Sequence, residues 1–179
     1  MITIGEKVLI RDRKLSDARD DYKWKLDPEL TELDAAPRLA FSYAQFLLEY
    51  TTEIHSDGTD RSFSIDTLDG KHIGHCGYYN IQEEKKEAEV GITIADRDYW
   101  SKGYGTDTIM ILVGYLFCET DFKRLFLKSL DWNIRAHKSF RKCGFVEYEK
   151  MTKDGLDFIL MELTKEQWEQ RQKEKKEEN

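Results

Sequence analysis

No stretch of this sequence is apolar for long enough to cross a membrane as a helix. The opening residues, MITIGEKVLIR, lack the pattern of a secretory leader. Cysteine is scarce: Cys76, Cys118 and Cys143 are odd in number and show no metal or redox spacing. The expectation is therefore a cytoplasmic protein with reduced thiols. Positive charge is outnumbered, 28 Lys and Arg against 35 Asp and Glu, for a net charge of −7. That balance argues against a general nucleic-acid binder and is compatible with a cationic substrate, although acidity also serves plain solubility. No internal repeat, low-complexity linker or second domain interrupts the 179 residues. One domain over residues 1–163 is expected, followed by a charged, helical tail over 164–179. Two phosphate-binding motifs are also missing. A P-loop needs G-x-x-x-x-G-K-S/T, and here Lys102 precedes the glycines. A dinucleotide fingerprint needs a third glycine, where this chain has Thr108.

What the chain does have is the stretch 91–109, GITIADRDYWSKGYGTDTI. Val90, Ile92 and Ile94 alternate as in a strand. Gly103-Tyr104-Gly105-Thr106 follows, and Ile109, Leu112, Val113, Leu116 and Phe117 then mark one face of a helix. The order is strand, glycine turn, helix start. The first amides of a helix lack internal partners and carry partial positive charge, and glycines let a phosphate approach them. The alternative is two glycines that merely turn a strand into a helix.

Around this stretch the patterning predicts a strand at 2–10, a helix at 16–26 opened by Ser16 and Asp17, and a helix at 39–54 with Leu39, Tyr43, Phe46, Leu47 and Tyr50 on one face. Between those helices lies Asp27-Pro28-Glu29-Leu30-Thr31-Glu32-Leu33-Asp34, read as an acidic loop because Pro28 breaks a helix. Strands follow at 63–67 and 72–79, joined by a two-residue turn at Asp69-Gly70, and at 87–94. After the central helix come a strand at 124–130, a short helix from Asn133 to Gly144, and strands at 145–150 and 156–163 turned at Asp154-Gly155.

The segment Trp100-Ser101-Lys102-Gly103-Tyr104-Gly105 resembles the coenzyme-A loop of the GCN5-related N-acetyltransferases, Gln/Arg-x-x-Gly-x-Gly/Ala, with Trp100 in place of Gln or Arg. That replacement resembles the branch of Rim-type protein N-terminal acetyltransferases and spermidine acetyltransferases. Asn133, Ala136, Gly144 and Phe145 match a second family motif, N-x-x-A-x-x-x-Y-x-x-x-G-F, except that Phe140 stands at its tyrosine. The resemblance implies an α/β (α+β) single-domain fold, with a mixed, mostly antiparallel sheet of about seven strands flanked by helices and splayed at the cofactor site. It implies acetyl transfer from acetyl-CoA to a primary amine: a protein N-terminus, a polyamine or another small cationic amine. A homodimer is compatible with it.

The implied cofactor contacts are Ile92, Thr93 and Ile94 on the strand, Trp100, Ser101, Lys102, Gly103, Tyr104, Gly105 and Thr106 in the loop, and Asn133 and Phe140. Asn133 is also a good helix cap, and Phe140 also reads as a core residue. Phe140 has no proton to give a leaving thiolate, so the acid is open, and a catalytically inactive coenzyme-A-binding module is the alternative function. Glu89 is the candidate general base, since Glu89, Gly91 and Thr93 share the strand face away from Val90, Ile92 and Ile94. It reads otherwise as a surface residue beside Lys85 and Lys86. Glu29, Glu32 and Asp34 are the candidate amine-binding carboxylates. Asp107 is read as a complement to the helix dipole. His72 and His75 sit on a strand with opposite faces expected for them, which disfavours a metal site.

Overall fold

A computed structural model describes residues 2–37, 39–56 and 58–177. Its centre is one sheet in the order β1-β2-β3-β4-β5-β6-β8-β7. The strands are β1 (Ile2–Ile4), β2 (Val8–Asp12), β3 (Arg61–Thr67), β4 (His72–Gln82), β5 (Glu87–Ile94), β6 (Arg124–Leu130), β7 (Val146–Lys153) and β8 (Leu156–Thr164). Neighbours run antiparallel except β5 and β6, which are parallel and therefore need a crossover. Helix α4 (Tyr104–Glu119) supplies it.

The strand expected over 2–10 is two strands. The chain turns at Gly5-Glu6-Lys7, and the backbone N–H groups of Glu6, Lys7 and Val8 all donate to the Asp107 carboxylate. Asp107 thus fastens a turn a hundred residues away, a role its place near the helix start did not reveal. The β3–β4 connection is also longer than the two residues expected. The Thr67 and Lys71 backbones bond to each other, and Gly70 takes φ +89°.

Pro28 begins a helix instead of breaking one. Asp27 is the N-cap of α2 (Pro28–Leu33), its side chain accepting from the Glu29 and Leu30 amides, with proline in the first turn where its missing N–H costs nothing. α1 (Ala18–Leu26) precedes it, and α3 (Tyr43–Ile54) follows behind a Ser42–Gln45 capping box. Ala18, Phe46 and Tyr50 form a small core between α1 and α3.

The main core lies on the α4 side of the sheet. Ile109, Leu112, Val113, Leu116 and Phe117 pack against Val8, Ile10, Ile65, Val90, Leu125, Leu127 and Met161. α5 (Ile134–Cys143) ends at Gly144 with φ +104°, which only glycine adopts without strain. α6 (Lys165–Glu177) is more than a solvated tail, because Trp168 packs tilted against Phe117 at 5.6 Å.

Candidate active site

β5 and β6 part company. Their backbones pair only at Glu87–Arg124, Ala88–Leu125 and Glu89–Phe126. Arg124 pins this closed end by bonding Glu87 at 2.7 Å and Glu162 at 2.6 Å. Beyond it, β5 continues against β4 alone and β6 against β8 alone. Among the described residues the β5 edge from Val90 to Ile94 therefore has no strand partner on that side, and alternate residues present unpaired backbone N–H and C=O groups there. A cavity of about 440 Å³ occupies the gap.

Alternation along β5 gives the cavity two walls. Ile92 and Ile94 face the α4 side, and Ile94 lies 3.6 Å from where a Cβ on Gly105 would stand. Trp100, Ser101, Gly103, Gly105 and Thr106 line this wall, with Asn133 and Phe140 of the α5 region. Ser101 at φ +58° and Gly103 at φ +90° bend the loop into the first turn of α4. Lys102 and Tyr104 do not line the cavity; the Tyr104 ring instead sits edge-on to Tyr99 at 4.8 Å.

Trp100 shows what replaces the usual Gln or Arg. Its indole N–H donates to the Ile94 carbonyl, and the Arg135 guanidinium stacks 3.6 Å from the ring centre. Arg135 was not among the sequence candidates. Its signal was only a cation two residues after Asn133, yet it brings positive charge to the glycine-loop wall, where burial pulls its pKa down.

Asn133 caps α5 by accepting from the Ala136 amide at 3.2 Å and also lines the cavity, so its two readings coexist. Phe140 packs on Phe145 at 5.9 Å with one edge at the cavity. Ser139 lines the cavity as well. Cys143 turns instead to the Thr106 carbonyl, and burial pushes its thiol up to about 12.

The other wall carries Thr93, His75, Tyr79, Gly91 and Asp34. Thr93 Oγ1 donates to Asp34 Oδ1 at 3.0 Å, tying the end of α2 to β5. The acidic stretch divides by what each carboxylate touches. Asp27 and Glu29 are both held by Arg97, at 2.8 and 2.6 Å, Glu32 is exposed away from the cavity, and Asp34 alone of the three candidate carboxylates lines it.

Glu89 is not a surface residue: it is 3 % exposed. Nor does it line the cavity. Its carboxylate lies behind the wall, 2.7 Å from Asn80 Nδ2 and 3.1 Å from Lys128 Nζ, and both Lys128 and Tyr79 do line the cavity. Burial, with Glu89 nearby, pushes the Tyr79 phenol up, and its ring leans over Gly91, where a Cβ would meet the hydroxyl at 3.0 Å.

The expectation for His72 and His75 is corrected. A bulge shifts the β3–β4 register between Ile65 and Asp66, so Ile73 is the extra residue and both histidines reach the α1 side. His72 bonds Asp66 and Asp21 through its two ring nitrogens. His75 pairs across the sheet with Thr93.

The cavity fits a coenzyme A. The loop offers a glycine-lined approach to the amides of a helix start, Arg135 offers charge, and the open β5 edge offers backbone partners for an amide-bearing chain. Comparison with known proteins agrees. A family profile described as "Acetyltransferase (GNAT) domain" matches residues 7–146. The chain is 27 % identical to an uncharacterized N-acetyltransferase p20 of Bacillus licheniformis, over 91 % of this chain and 96 % of that one. Its fold is similar to spermidine N-acetyltransferase from Vibrio cholerae, solved in complex with CoA and spermine (TM-score 0.81, 19 % identity, 90 % of this chain and 97 % of that one). It is likewise similar to ribosomal-protein-S5-alanine acetyltransferase from Vibrio fischeri (TM-score 0.77, 21 % identity, 94 % and 98 % covered). The chain belongs to the GNAT acetyltransferase family, acyl-CoA-dependent enzymes whose acetyl donor is acetyl-CoA.

Proposed function

We propose that this enzyme acetylates a small cationic primary amine that enters on the α2 side of the sheet. The observation that carries the reading is Asp34, a carboxylate at the cavity wall held in place by the Thr93 hydroxyl. A second positive charge on the amine gains an ion pair there. The acidic chain, at −7, favours the approach of a cation. Among the similar structures, one was solved with spermine, which supports this chemistry without naming the substrate here.

Bound acetyl-CoA supplies an acetyl thioester, open to attack by a neutral amine. In this reading the amides of Ser101 to Thr106, the Arg135 charge and Asn133 hold the phosphate end, and the β5 edge from Gly91 to Ile94 aligns the rest. A β5 backbone N–H meets the charge that develops on the reacting carbonyl oxygen, and one such donor is typically worth about 10²–10³ in rate. Phe140 and Ile92 exclude water and donate no proton. Glu89 acts through Lys128 rather than on the amine: it neutralises a cation that would otherwise repel the substrate.

Steady-state acetylation of amines by wild type and Asp34→Asn tests the reading. Asp34→Asn should raise KM for diamines and polyamines about tenfold, the loss of one partly exposed ion pair, and leave KM for acetyl-CoA unchanged. Equal KM values for diamines in both proteins would remove Asp34 from the acceptor site.

A further inference from the structure

We propose that His75 is the proton acceptor of the reaction, taking the proton of the incoming ammonium on the α2 side of the cavity. The inference rests on the acetyl transfer proposed above.

Geometry singles it out. His75 lies on β4 directly across from Thr93, whose hydroxyl holds Asp34, so the imidazole and the carboxylate flank the same part of the wall. It is half-buried and lines the cavity, and no hydrogen bond of its ring is found among the described residues. That contrasts with His72, three residues earlier on the same face, whose two nitrogens are both engaged by carboxylates. His75 is therefore a cavity-lining residue whose imidazole has no hydrogen-bond partner among the described residues.

The groups around it set its charge. Burial lowers its pKa. Asp21 of α1 and Asp34 at the end of α2 oppose that pull, Lys25 of α1 and Arg13 before α1 reinforce it, and the balance lies below the ordinary imidazole value. β5 contributes the uncharged Thr93. That direction favours the neutral imidazole, the form a base must have, while Asp34 stabilises the imidazolium once the proton has moved. Glu89 is a weaker candidate because its carboxylate is walled off behind Lys128 and Tyr79.

The step balances. One ammonium proton passes to a His75 ring nitrogen, and the lone pair so freed forms the C–N bond as the C–S bond breaks. The second proton lost by nitrogen ends on the departing sulfur, and His75 releases the first to solvent. The acceptor class is a primary amine that is protonated at neutral pH and must be deprotonated within the site.

The test is the pH dependence of coenzyme A release by wild type, His75→Gln and His75→Ala, with imidazole added back to the last. Folding is checked by thermal unfolding, and coenzyme A affinity by calorimetry. The wild-type acid limb of kcat/KM should fall at a pH below the ordinary imidazole value of about 6.5, and NMR of the His75 ring should titrate at the same pH. Both variants should bind coenzyme A as wild type does and lose about 10²-fold in kcat/KM at pH 7, with the loss shrinking as pH rises. Imidazole should restore part of the His75→Ala rate. Full activity of His75→Gln at every pH, or a folded His75→Ala that imidazole leaves unrescued, overturns the assignment. If wild type turns over no amine at all, the acetyl-transfer reading fails instead, and this role with it.

Discussion

At the scale of single residues, the site is defined by substitutions in familiar positions. Phe140 stands where the family motif places a tyrosine, and its ring packs against Phe145. Trp100 occupies the place of a polar side chain and anchors the glycine loop to the end of β5 through the Ile94 carbonyl. Glu89, the carboxylate that the strand pattern presents as a base, is buried against Asn80 and Lys128. Its removal should act through Lys128. Glu89→Gln leaves an unneutralised ammonium at the cavity wall, so KM for cationic amines should rise severalfold while the pH at which kcat/KM falls stays where it is. An unchanged KM together with a displaced acid limb would return Glu89 to the role of base.

At the scale of elements, the strand–loop–helix unit from Glu87 to Glu119 does the positioning. Gly103 at φ +90° needs glycine for its backbone, and Gly105 needs it for the space in front of the helix amides. Gly103→Val and Gly105→Val should each weaken coenzyme A binding at least tenfold by calorimetry, the first by straining the left-handed backbone that shapes the loop, where its Cβ would point at Lys7, and the second by setting a side chain beside Ile94 in the proposed phosphate approach. Gly70 supplies the control. It also has positive φ, at +89°, but no atom of the described residues lies within 4 Å of its Cβ position, so Gly70→Val should lower stability and leave coenzyme A affinity intact. Equal affinity in all three variants would place the phosphates elsewhere. This unit was legible in the sequence because its signals are local: alternation in β5, two glycines, then the apolar face of α4. The second motif was legible for the same reason, since Asn133 and Gly144 cap the two ends of one helix. What was not legible is non-local. The bulge that brings His72 and His75 to one face depends on the pairing of β4 with β3. The start of α2 at Pro28 depends on Asp27 capping it. The turn between β1 and β2 depends on Asp107, and the burial of Glu89 on Lys128 from the neighbouring β6.

At the scale of the whole molecule, a buried charge network fastens α1 to the sheet beneath the wall that carries Thr93 and Asp34. Arg11 binds Asp17 through both terminal nitrogens, at 2.7 and 2.9 Å, and also Asp66, while Ser64 and the Lys14 amide donate to Asp17. Burial alone would raise Asp17, but these donors outweigh it and hold the carboxyl well below the usual range; Asp21 is lowered in the same way by His72, His75 and Arg13. Depressed carboxylates stabilise the fold above their unfolded pKa of about 3.9 and lose that contribution as pH falls through the folded value. His72 has the opposite sign. Burial lowers it but Asp21 outweighs that, so its contribution is present below about pH 6.5 and is lost as pH rises through the raised folded value. His75 and His137, lowered by burial, have the opposite sign to His72, so the carboxylates set the trend, and thermal unfolding should show a steep loss below about pH 4. Asp17→Asn should cost about 3 kcal/mol at neutral pH and flatten that acid loss. An unchanged acid limb in Asp17→Asn would mean that the network does not govern it. The account as a whole rests on the chain moving an acetyl group to a cationic amine in the cavity between β5 and β6. The most direct measurement is the release of coenzyme A thiol from acetyl-CoA across a series of primary amines of matched reactivity, with the acetylated amine identified by mass spectrometry. The account predicts turnover, with kcat/KM about tenfold higher for amines bearing a second positive charge and that preference lost in Asp34→Asn. Thiol release without an acetylated amine, or equal kcat/KM for charged and neutral members of the series, would contradict it.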